Sequence, residues 1–158
     1  MRARLSAAVA ALLLLALLPA SASAAPATKR CRDDQRARCG SVLVPLIRAA
    51  PDGGGRKLRI HFRVFPRTDR SKPALEPIVT VEGGPGYPSI DSADSYLFML
   101  GPLRRRHDMI VMDNRGTGRS GAVDCPRLQN LKGVYEREVG RCARKLGRAV
   151  NACSASGA

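Results

Sequence analysis

The amino-acid sequence predicts an α/β fold, a β-hairpin followed by a β-α-β-α unit, and three observations predict it. Lys57–Phe65 alternates with a period of two, Leu58, Ile60, Phe62 and Val64 against Lys57, Arg59, His61 and Arg63, the pattern of a half-exposed strand. Two later runs, Ile78–Val81 and Met109–Met112, are apolar without alternation, as expected of strands covered on both faces. Each of these runs breaks into a glycine-rich turn at its carboxyl end, and a helical pattern lies between them, an arrangement that places ligand loops at the carboxyl ends of parallel strands.

Taken in order, the chain opens with basic Arg2 and Arg4, then an apolar run of twelve residues, Ala7–Leu18, then Pro19 and the small residues Ala20–Ala24. This is the signature of a secretory signal peptide over residues 1–24, cleaved after Ala22-Ser23-Ala24. The run is too short to span a bilayer, which takes about 20 residues. An exported, secreted protein with no membrane span after cleavage is therefore expected. Residues 25–40 form a polar lead. A single domain over 41–150 follows, and 151–158 are a small-residue tail without pattern.

Within the domain, Gly40–Leu46 reads as a strand, with Pro45 suited to an edge, and Pro51–Gly55 as a turn, so that Lys57–Phe65 closes an antiparallel hairpin. His61 falls on the polar face and is expected to be solvated. A polar loop, 66–77, leads to the strand 78–81. Asp94–Leu100 reads as a helix begun by Ser92 or Asp94 and stopped by Gly101-Pro102, with Ala93, Leu97 and Leu100 on one stripe. The last helix carries Tyr135, Val139, Cys142 and Leu146 on one face and ends at Gly147.

Lys and Arg total 27 against 13 Asp and Glu, and without Arg2 and Arg4 the net charge is +12. The arginines are scattered over strands and loops, only Leu103–His107 clusters them, and no aromatic platform stands nearby, which argues against a nucleic-acid partner. Export permits disulfides. Of the cysteines at 31, 39, 125, 142 and 153, Cys31 and Cys39 bracket a short polar loop and are expected to pair, Cys125 can reach Cys142, and Cys153 is left over. No C-x-x-C occurs and neither histidine is near a cysteine, so no metal is expected.

Two loops carry the chemistry. Gly83-Gly84-Pro85-Gly86 presents main-chain amides at a strand end; Pro85 has no N–H, which leaves Gly84 and Gly86 as candidate donors. Gly116-Thr117-Gly118-Arg119-Ser120-Gly121 matches G-x-G-x-x-G after a strand, but Ala122–Pro126 follows where a helix should open, and the next acids, Glu136 and Glu138, lie on a helix rather than at a strand tip. A dinucleotide cofactor is therefore not expected.

Together, in this order, Gly-Gly-Pro-Gly after the strand and Asp113-x-Arg115-Gly116-x-Gly118-x-Ser120 resemble the secreted α/β-hydrolases of the prolyl and tripeptidyl aminopeptidase family of serine peptidases, over roughly Cys39–Leu146. The resemblance implies an oxyanion loop at Gly83, Gly84 and Gly86, with Gly84 the first choice of donor, and a scaffold made of Asp113, Arg115, Gly116, Gly118 and Ser120. It implies a peptide or small ester or amide substrate in the full-length relative, and no cofactor. Glu82 stands where many relatives have histidine. No G-x-S-x-G occurs, and His107 precedes any possible nucleophile, so the catalytic triad is absent. The resemblance thus implies the N-terminal part of an α/β-hydrolase fold, truncated before the nucleophile elbow. In the strand order 1-2-4-3-5 of such sheets, residues 78–81 become an exposed edge open to self-association. The rival expectations are a small secreted binding module held by two disulfides, with glycine loops gripping an anion or a peptide terminus, and a dinucleotide-binding domain.

Overall fold

The alternation at Lys57–Phe65 and the strand before it do form a hairpin: β2 (Arg38–Pro45) pairs antiparallel with β3 (Lys57–Phe65), Ser41 opposite His61 and Val44 opposite Leu58. The structure, a computed structural model, describes residues 25–47, 55–84, 86–130 and 132–147. The expected signal peptide (1–24), most of the turn at 51–55, Pro85, Cys153 and the tail 151–158 lie outside the described residues. A short strand, β1 (Thr28–Arg30), pairs with Arg38–Gly40 of β2, so the lead segment joins the sheet and β2 is bare on its outer side only beyond Gly40.

β4 (Leu75–Thr80) and β5 (His107–Met112) complete a five-stranded sheet in the order β1-β2-β3-β5-β4. β5 lies antiparallel to β3 and parallel to β4. Between β4 and β5 the chain makes a 3-10 turn (Ser89–Ser92), the helix α1 (Ala93–Met99) and a second 3-10 turn (Leu103–Arg105). After β5 come α2 (Pro126–Gln129) and α3 (Tyr135–Leu146), which pack on each other.

This corrects the expected α/β class and its hydrolase-type arrangement. Three of the four strand pairings are antiparallel, the described helices are short, and the molecule is a small α+β fold. The reason lies in which sheet faces are covered. An α/β fold needs helices on both. Here one face holds the core, Phe65, Met109 and Val111 against Ile90, Ala93, Cys31 and Ala37, with Tyr96, Leu97 and Leu100 beside them. The other face buries Ile60 but leaves Leu58, Phe62, Val64, Ile110 and Met112 half-buried, and it lacks a comparable helical layer among the described residues. The expectation that Ile78–Val81 is covered on both sides fails for the same reason: Val79 is 55% and Val81 45% exposed at the sheet's edge.

The core also sits on the unexpected face of β3. Phe65 is fully buried and Arg63 is 9% exposed, whereas on the apolar row only Ile60, also 9% exposed, is buried and Leu58, Phe62 and Val64 are half-buried. Arg63 tolerates burial because Asp33 receives it at 2.6 Å and Asp34 lies 3.9 Å away. Both carboxylates come from the loop closed by the Cys31–Cys39 disulfide, which brings Cys31 and Ala37 into the core. The second disulfide, Cys125–Cys142, staples α2 to α3. Both pairings expected from the spacing are thus present, and disulfides suit an oxidising, extracellular-type environment. No described helix is long and apolar enough to cross a membrane.

Candidate functional site

β4 and β5 are parallel neighbours, so their carboxyl ends deliver the two glycine-rich loops to the same end of the sheet. The first loop leaves β4 through Val81 and Glu82 and is held by polar groups on both sides. The Glu82 N–H donates to Ser89 Oγ at 2.8 Å, and the Glu82 carbonyl accepts from Asn114 Nδ2 at 3.3 Å. Ser89 is fully buried at the start of the turn into α1. Beyond this clamp Gly84 has φ +62° and Gly86 φ +94°, conformations that L side chains rarely adopt. A Cβ built on Gly83, Gly84 or Gly86 would meet nothing within 4 Å, so the loop lies open. Among the described residues none of these three amides donates to another group of the chain.

The second loop is organised by Asp113, at 1% exposure. One carboxylate oxygen accepts the N–H of Ile90 at 2.9 Å and the other the N–H of Arg119 at 2.9 Å. Asp113 therefore ties the turn after the first loop to the turn within the second. Gly118, at φ +45°, lies against that carboxylate and 2.7 Å, measured from an added Cβ, from Pro88 Cβ, so no side chain fits there. Ser120 is fully buried and its Oγ accepts the His61 N–H at 2.9 Å, anchoring the loop to β3. Arg115 donates from Nη1 to the carbonyls of Pro45 (2.8 Å) and Leu46 (3.1 Å), anchoring it to the end of β2. The Gly116 N–H donates to the Ser120 carbonyl at 3.0 Å and closes the loop on itself. Asp113, Arg115, Gly116, Gly118 and Ser120 are thus brought together, and each contact is with backbone or with packing atoms.

Three features of the site were not read from the sequence. Ser89 was missed; a hydroxyl directly after a proline, before a helical pattern, is the signal that could have marked it as a turn anchor. Tyr96, on the first turn of α1, stands beside Glu82, and burial first, then the Glu82 carboxylate, holds its phenol above its ordinary value. His61, expected to be solvated, is half-buried, and burial first, then Arg59 and Arg119, lowers its pKa while Asp113 opposes. An outer ion-pair chain backs the second loop: Arg119 reaches Asp33 at 2.8 Å, and Asp33 also holds Arg63.

The site's chemistry is that of main-chain donors on a braced loop. Asp113 is the one carboxylate built into the brace, and its oxygens are both engaged. Cys31, Asp33 and Cys39 gather their ligand atoms within 4.8 Å, but the two sulfurs are bonded to each other, which leaves a single carboxylate and no metal set. The sequence matches no family model, and no curated protein matches it.

Proposed function

We propose that this chain supplies the oxyanion loop of an exported serine hydrolase acting on peptide N-termini, with Gly84 and Gly86 as the donors and no nucleophile of its own. The observation that supports the reading is the brace: Asp113 joins the two loops, while the Gly84 and Gly86 amides have no partner among the described residues. Donors fixed before a charge develops cost no reorganisation when it does, and losing one such donor slows acyl transfer by about 10²- to 10³-fold. The substrate chemistry, a peptide or small ester or amide, rests on the motif resemblance alone.

An aminoacyl phosphonate, whose tetrahedral oxygens imitate the hydrolytic intermediate, tests it. Titrated into ¹⁵N-labelled protein, it is expected to shift the Gly84 and Gly86 amides. Shifts that spare both glycines overturn the assignment, and stoichiometric labelling of a serine in this chain by a fluorophosphonate overturns the absence of a nucleophile.

A second reading is favoured by the two disulfides: a small disulfide-bonded secreted module that grips an anion or peptide terminus through the same amides. It predicts equal binding of a planar carboxylate and the tetrahedral phosphonate, whereas an oxyanion loop prefers the latter.

A further inference from the structure

The opposite end of the β4–β5 pair, at the amino ends of both strands, holds an open cleft of about 330 Å³. Its walls are the loop before β4 and the turn before β5, stitched by three main-chain hydrogen bonds: Thr68 N–H to the Arg104 carbonyl (2.9 Å), Asp69 N–H to Arg105 (3.0 Å) and Leu75 N–H to Arg106 (3.0 Å). Lys72, Arg105 and Arg106 line it, and among the described residues none of these cations is in an ion pair. The Asp69 carboxylate in the same wall is turned onto its own backbone: Oδ1 accepts the Ser71 N–H at 3.0 Å and the Ser71 hydroxyl at 2.6 Å. Those bonds first, and Arg105 and Arg106 after them, hold it below its ordinary value. Three fixed positive charges against one negative leave a surplus of two.

We propose that this cleft binds a small organic phosphate monoester, its phosphate taken by Arg105, Arg106 and Lys72. The charge surplus selects the class, because a phosphate monoester carries about −1.5 to −2 at neutral pH, whereas a carboxylate or sulfate ester carries one charge. Adjacent guanidinium groups also suit three tetrahedral oxygens better than a planar carboxylate. Leu103, 50% exposed, and Leu75, 42% exposed, offer the organic part an apolar rest. A volume of this size is too large for an inorganic ion and falls at the lower end for small-molecule sites, about 300–1,000 Å³. His107 is held in the cleft wall by its Nδ1, which donates to the Glu76 carbonyl at 2.7 Å.

The test is a titration of the full ¹⁵N-labelled chain with phenyl phosphate, phenyl sulfate and benzoate at physiological salt. Phenyl phosphate is expected to shift the amides of Lys72 and Arg105–His107 saturably, with a Kd below about 1 mM, and to bind at least about tenfold tighter than the other two. The double substitution R105A/R106A is expected to weaken it at least about tenfold, and K72E to do the same, while R137A/R144A on α3, an equal loss of charge elsewhere, leaves it unchanged. No saturation below about 10 mM, equal affinity for benzoate or phenyl sulfate, or an equal loss in R137A/R144A would each overturn the proposal.

Discussion

Asp113→Ala tests whether one carboxylate holds the two glycine-rich loops together. The substitution removes two charge-assisted hydrogen bonds, each 2.9 Å long, to the amides of Ile90 and Arg119. Bonds of that kind contribute about 1.5–3 kcal/mol each, so the gross loss is roughly 3–6 kcal/mol. Two effects reduce it. Arg119 lies on an exposed turn where water can take over its N–H, and the variant no longer buries a charge that, among the described residues, has no cation in contact. The Ile90 amide has no such relief, because Ile90 is 6% exposed and packed in the core. A net destabilisation of about 3 kcal/mol is expected, a large part of the 5–15 kcal/mol typical of a domain. Asp113→Asn keeps the volume and one acceptor but turns an NH₂ toward the other amide, so about half that loss is expected. Urea unfolding followed by circular dichroism, with the disulfides intact, gives the difference from the midpoints at a common slope. Hydrogen exchange at Ile90 should accelerate in step. A loss below about 1 kcal/mol in Asp113→Ala would show that the carboxylate is not what joins the loops.

Other outcomes follow from the same structure. Replacing Cys125 and Cys142 by alanine opens a loop of sequence separation 17, worth about 3 kcal/mol by chain entropy, and because α3 packs on α2 the loss should appear as helical signal while exchange protection in β5 persists. Glu138, 4% exposed, is held below the usual carboxylate range first by its hydrogen bond from Arg127, then by the charges of Arg141 and Arg137. A depressed folded pKa contributes stability that is present above the unfolded value and lost as pH falls through the folded one, so α3 should lose stability under acid titration as the Glu138 carboxylate is protonated, and Glu138→Gln should flatten that dependence. Val79→Lys places a charge on the bare edge of β4, where Val79 is 55% exposed, and should slow concentration-dependent association in sedimentation; unchanged association would locate the contact elsewhere.

The hairpin, the places of α1 and α3 and both disulfides were legible because each depends on local signals: period, stop residues and short spacings. What failed depends on which faces meet. Alternation at Lys57–Phe65 separates two faces without saying which is covered, and the covered one includes Arg63 because Asp33 and Asp34, some thirty residues away in the chain, neutralise it. The α3 wheel misleads similarly: Tyr135 is 61% exposed while Glu138 is buried, since Arg127 at 3.1 Å makes its burial tolerable. The lead segment looked polar, yet the Cys31–Cys39 link folds Cys31 and Ala37 into the core. Apolar runs at Ile78–Val81 and Met109–Met112 read alike, and only their places in the sheet, edge against interior, separate them.

The β4–β5 pair also explains why binding chemistry gathers where it does. In the antiparallel part of the sheet the hairpin connection joins neighbouring strand ends. In the parallel pair each end instead collects segments distant in sequence, residues 82–90 with 113–120 at one end and 66–75 with 102–107 at the other. Both ends offer groups that suit an anion, one its open amides and the other cations that form no ion pair among the described residues, so a single anion is a candidate for either. β4 is six residues long, which sets the ends about 20 Å apart, whereas charges are screened beyond about 8 Å at physiological salt. The two sites should therefore act independently: saturating the cleft with phenyl phosphate should leave the aminoacyl phosphonate titration of Gly84 and Gly86 unchanged. Competition between the two ligands would mean that a single anion site accounts for both sets of shifts.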